Sequence, residues 1–328
     1  MAEPLLFGRR TLLAAALLGT SGCSLLPTRG GGDDLAGLLS RIGLDALGGE
    51  GELARIGWGR PAAAREALGI EPGATWNDLG GVPWTDIFFQ IDARLMVMGA
   101  SASLPTVPSE WLGSPDRLYA PTAMVTVDQG RAGAATLWTG VADLLGDYQR
   151  AFGSAATREG DTLVLEGERI ERTVVAAIGE DLVATTAPSA DDLDGRPTAE
   201  SLYEDLDDLL ALLELENAHL MTSVIRPADD GAVEAYAREA VIATRFESSE
   251  EHTSRGVLRA EGDAEELAQR LLDPQEVREG QLVAETAEVD GQLISVGVSS
   301  SDLDAYLGTE ALELLHRSFL PGMTPERR

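Results

Sequence analysis

Few side chains in this chain can do covalent or metal chemistry. Among 328 residues there is one cysteine, Cys23, and there are three histidines, His219, His252 and His316. All 25 basic residues are arginine. The lack of lysine excludes Schiff-base chemistry, a Ser-x-x-Lys pair and a phosphate-loop lysine. After Cys23 no thiol remains, so the following chain has no intrachain disulfide, cysteine metal site or thiol nucleophile. The histidines lie far apart, without the helical two-histidine spacing of a zinc protease. No Gly-x-Ser-x-Gly elbow occurs. His219, in the leucine-rich stretch Leu209–Met221, reads as a partly buried helical residue, and His252, after Glu250-Glu251, as a solvated loop residue.

Carboxylates are the abundant chemistry. Asp191-Asp192-Asp194 and Glu204-Asp205-Asp207-Asp208 offer oxygen ligands, yet neither has the alternating Asp, central Gly and closing Glu of a calcium loop. The second group reads as the polar stripe of an amphipathic helix with Leu202, Leu206, Leu209, Leu210 and Leu213 on its apolar side. A glycosidase also needs two carboxylates, but here their number makes the residue type uninformative. Trp58, Trp76, Trp84, Trp111 and Trp138 read as core residues. No catalytic residue, metal ligand or cofactor site is assigned.

The position of Cys23 is more telling than its chemistry. Arg9-Arg10 open a segment that continues through apolar residues to Leu18 and closes on Gly19-Thr20-Ser21-Gly22-Cys23. A positive start, a short apolar stretch and small residues form an export signal, here over residues 1–22. The apolar stretch falls short of the roughly 20 residues a spanning helix needs. Residues 23–34, rich in proline and glycine, read as a flexible tether.

Arg9-Arg10-Thr11-Leu12-Leu13 resembles the twin-arginine signal, although Gly8 and Ala14 stand where Ser or Thr and Lys are usual. Thr20-Ser21-Gly22-Cys23 resembles the lipobox of bacterial and archaeal lipoproteins, with Thr20 in place of the preferred Leu, Val or Ile. The first resemblance implies export of a folded chain. The second implies lipidation of Cys23 and stable anchoring by several acyl chains. In signal, tether and composition the chain resembles uncharacterised acidic lipoproteins of haloarchaea and actinobacteria.

Fifty-five acidic residues against 25 basic ones give a formal charge of −30. That surface repels phosphate backbones, so nucleic acid is not an expected partner. Dense carboxylates also suit a salt-adapted surface, which self-repels when salt is withdrawn.

Leu35, Leu38, Leu39, Ile42 and Leu47 predict a helix, followed by a strand around Leu53–Trp58. Pro61 and Gly69 bracket a second helix. Trp84–Met98 reads as strand. Ala123–Val127 predicts a strand, Ala132–Leu145 a helix, Thr162–Leu165 a strand, and Thr173–Thr186 a strand pair turning at Gly179-Glu180-Asp181. Gly256–Ala260 predicts a strand, Ala264–Leu272 a helix, and Gln281–Val289 and Gln292–Val298 a hairpin about Asp290-Gly291. The order β-α-β-β recurs, and Leu35–Trp58 has a counterpart in Leu202–Ile225. Asp181-Leu182-Val183 leading to Asp192-Leu193-Asp194 is likewise echoed by Gln292-Leu293-Ile294 leading to Asp302-Leu303-Asp304.

The expected fold is α+β, with antiparallel sheets and helices packed on one face. Residues 35–195 and 199–320 are expected to be two α+β domains or two diverged repeats of a β-α-β-β unit. The expected function is non-enzymatic: a lipid-anchored ectodomain on the extracytoplasmic face of the cell membrane, binding an envelope protein or a small ligand. The alternatives are an extracytoplasmic carboxylate-based hydrolase and a purely structural or assembly lipoprotein.

Overall fold

The computed structural model describes residues 34–42, 54–71, 121–128, 134–167, 170–185, 206–213, 215–225, 236–248, 251–272 and 284–300. Residues 1–22, expected to be an export signal, lie outside them, as do Cys23, Trp84–Met98 and His316.

Among the described residues, twelve strands form one antiparallel sheet. Seven come from the first part of the chain: β1 (Ala54–Gly59), β2 (Met124–Asp128), β3 (Ala134–Trp138), β4 (Ala156–Glu159), β5 (Thr162–Gly167), β6 (Ile170–Ile178) and β7 (Asp181–Thr185). Five come from the second: β8 (Leu220–Ile225), β9 (Tyr236–Phe246), β10 (His252–Glu261), β11 (Thr286–Asp290) and β12 (Leu293–Ser300). Their order is β11-β12-β10-β9-β8-β1-β2-β3-β7-β6-β5-β4. The two stretches meet at an antiparallel seam in which Trp58 faces Met221 and Ile56 faces Ser223. On each side of the seam three strands run outward in chain order. The chain then passes through a helix and returns, so that its last strand pairs with the third, β7 with β3 and β12 with β10.

Helices cover both faces of this sheet, which corrects the expectation of one. Strand residues alternate between faces. Ile56, Trp58, Val125, Val127, Leu137, Met221 and Val241 share the first face. There they pack on α1 (Leu35–Leu39) and on the helical turn 206–210 through Leu35, Leu38, Leu39 and Ile42 and through Leu206, Leu209, Leu210 and Leu213. The opposite face carries α2 (Pro61–Ala67) and α3 (Leu145–Phe152) over Met124, Trp138, Leu163 and Val175. It also carries α4 (Ala264–Leu272) over Ala240, Ile242, Leu258 and Ile294.

Local chemistry sets the helix starts. The Asp34 carboxylate accepts the Gly37 amide at 2.7 Å ahead of α1, and the Asp263 carboxylate accepts the Glu265 and Glu266 amides ahead of α4. Pro61 stands at the first turn of α2, where its missing N–H costs nothing. The two foreseen hairpins turn at Gly179 and Gly291, both at φ +62°, a conformation open to glycine without strain.

The Ala132–Leu145 helix is also corrected. Residues 134–138 are β3, followed by a 3-10 turn at Ala142–Leu144, and α3 begins only at Leu145. All five residues of β3 are buried, because the sheet is covered on both faces there. Such a strand shows none of the polar alternation that distinguishes strand from helix.

Candidate functional site

Polar side chains held inside the sheet mark two places. The first joins the helical turn 206–210 to the sheet. Arg259 on β10 stands opposite Glu239 on β9, and its Nε donates to the Glu239 carboxylate at 2.6 Å. Its other branch donates to Asp208 on the helical turn. Both carboxylates, Asp208 first, hold the guanidinium above its ordinary pKa. Glu239 is buried, so Arg259 neutralises a charge that would be costly alone. The sequence had placed Asp208 on a solvated polar stripe, and it is exposed; its tie to β10 came from a strand no local pattern linked to it. Asp207 is exposed, and Glu204 and Asp205 lie outside the described residues.

The second place is His219, which corrects its assignment to a helix. It stands immediately before β8, between β1 and β9. Its backbone N–H donates to Thr244 O, and its carbonyl accepts from Arg60 N, each at 2.9 Å. The imidazole is half-buried and stacks on Phe246, with centroids 5.7 Å apart and planes 7° apart. Its Nδ1 accepts the Phe246 backbone N–H at 3.0 Å. The neutral ring therefore carries its proton on Nε2. Burial, then the nearby cations Arg60 and Arg245, hold its pKa below the ordinary 6.5, and Glu247 opposes them. Magnitudes agree with that direction. Orphaning a buried N–H costs about 1–3 kcal/mol, whereas a cation on an aromatic face returns about 0.5–1 kcal/mol at exposed sites. His219 thus spends its basic nitrogen on the backbone, which leaves it a structural acceptor rather than a general base.

His252 is also corrected: it opens β10 opposite Phe246 instead of lying in a loop. Trp58 and Trp138 are buried, as read; Trp76, Trp84 and Trp111 lie outside the described residues. Among the described residues both indole N–H groups and the Ser223 hydroxyl have no hydrogen-bond partner. Other buried hydroxyls pair with each other, Thr126 with Thr136 at 3.0 Å and Thr244 with Ser254 at 2.9 Å. Among the described residues no group of three or more His, Cys, Asp or Glu could hold a metal ion. Arg9, Arg10 and Cys23 lie outside the described residues.

Comparison of the chain with protein-family models, curated proteins and solved structures finds no match.

Proposed function

We propose that this is an exported envelope protein, anchored through lipid on Cys23 to the extracytoplasmic face of the cell membrane. Its sheet domain binds an envelope protein or a small ligand without catalysing a reaction. The observation that carries this reading is the N-terminal order of Arg9-Arg10, a short apolar stretch and Thr20-Ser21-Gly22-Cys23. Two further observations support it. Among the described residues no helix is long and apolar enough to cross a membrane, so attachment through lipid is consistent with this domain. The imidazole at the sheet seam is committed to a backbone amide instead of a nucleophile.

The sheet's two sides descend, in this reading, from a duplication. It is supported by the matching strand paths on either side of the seam and by the shared i, i+3, i+4, i+7 spacing of leucine-type residues in 35–42 and 206–213.

Intact mass of protein extracted from native membranes, compared between wild type and Cys23→Ser, tests the proposal. A mature chain starting at an acylated Cys23, released to the soluble fraction by the substitution, is the expected result. An unmodified chain that keeps residues 1–22 overturns it.

A further inference from the structure

At His219 geometry alone dictates a response to pH. Its backbone supplies hydrogen bonds to strands on both sides, to Thr244 of β9 and from Arg60 at the exit of β1. Its side chain adds a third tie, to the Phe246 amide.

We propose that His219 is an acid-released latch at the end of the β1–β8 seam: a proton on its Nδ1 replaces the acceptor facing the Phe246 N–H with a second donor. Rotating the ring offers no escape, because both nitrogens of an imidazolium carry hydrogen. The surroundings reinforce this. Arg60 approaches from the end of β1 and Arg245 from β9, while among the described residues Glu247, just beyond β9, is the carboxylate acting on the ring. Glu216, on the turn before β8, offers its carbonyl to Arg60. From β10, His252 stands opposite Phe246 in the strand register. A new cation here meets two existing ones and loses its hydrogen bond. Protonation therefore favours conformations in which His219 leaves Phe246, taking with it the rungs that fasten the start of β8.

Amide hydrogen exchange on the full chain tests it, from pH 7.5 down to 5 and corrected for the intrinsic pH dependence of exchange. In the wild type, protection at Arg60, His219 and Phe246 should fall with pH. The fall should level off at about tenfold for each unit by which the pKa of the latched imidazole lies below its free value. Amides of β6 and β7, far along the sheet, should keep their protection. In His219→Asn, whose side-chain oxygen accepts near the Nδ1 position and does not titrate, the seam amides should show no such fall. The same pH slope in the variant, or equal loss at β6 and β7, overturns the latch. If the variant does not fold, nitrogen NMR of the wild-type imidazole decides instead. A neutral form protonated on Nε2 and titrating below 6.5 supports the latch, and protonation on Nδ1 or ordinary titration overturns it.

Discussion

The two leucine-bearing segments beneath the sheet bury the same stripe but are tied down with opposite charges. In the first, Arg41 follows α1 and reaches Asp181 on β7 at 2.5 Å, and Asp181 also accepts the Gly140 amide. In the second, the helical turn carries the anion, Asp208, and the sheet carries the cation, Arg259, which also serves the buried Glu239. Leu35, Leu38, Leu39 and Ile42 on one segment match Leu206, Leu209, Leu210 and Leu213 on the other. Because the charges swap sides while the apolar stripe does not, apolar burial fixes where these segments sit. The ion pairs adjust to it.

The largest expected effects follow from that stripe. Leu38 and Leu209 are each fully buried. Leu38→Ala and Leu209→Ala should each destabilise by about 3 kcal/mol, within the range of about 2–5 for such truncations. Chemical denaturation would measure both, and a large inequality between them would break the comparison. The polar ties should differ more. Arg259→Leu leaves Glu239 buried with Arg238 at 3.5 Å as its remaining cation. It should cost about 2 kcal/mol, less than a fully buried pair because Arg259 is partly exposed. Arg41→Leu should cost about 1 kcal/mol or less, since the Gly140 amide still satisfies Asp181.

A third test concerns the acidic surface that both segments share. At about 1 M salt the screening length shrinks to about 3 Å. Repulsion within a chain of charge −30 should then weaken, and the melting temperature should rise by several degrees. A melting temperature indifferent to salt would remove the salt-adapted reading. A comparably small effect belongs to His219. Its folded pKa lies below 6.5, so the unfolded chain takes up the proton first. Its contribution is complete above about pH 6.5 and is lost as pH falls below that, by about 1 kcal/mol, the net worth of one hydrogen bond. Comparing denaturation midpoints of wild type and His219→Asn at pH 7.5 and 5 would isolate it.

The elements carrying their own local signals were legible. Pro61 with Gly69, the leucine spacing of 35–42, the Ala264–Leu272 helix and the turns at Gly179 and Gly291 each have a cause within a few residues. Strand β3 was not legible, because Ala134-Ala135-Thr136-Leu137-Trp138 is buried on both sides and so lacks period-two contrast. Helices on both faces follow from the same double burial. The position of His219 depends on Phe246 and Arg60, and the Arg259 cluster on Glu239 and Asp208. Partners so distant in sequence leave no mark in a local pattern.

The seam also bears on how the chain acquires its fold. Several neighbouring strands are joined by short turns, as in β4–β5, β5–β6, β6–β7 and β11–β12. Strands β1 and β8 pair across a much longer span; beside them Arg60 binds the carbonyl of Glu216, 156 residues away. Closing so large a loop is entropically expensive, and non-local pairings of this kind slow folding. Hairpins on either side can form early, whereas the seam must wait for most of the chain. Its closure is then the slow, committing event of folding, and until it occurs β1 and β8 present unpaired edges to any other chain nearby.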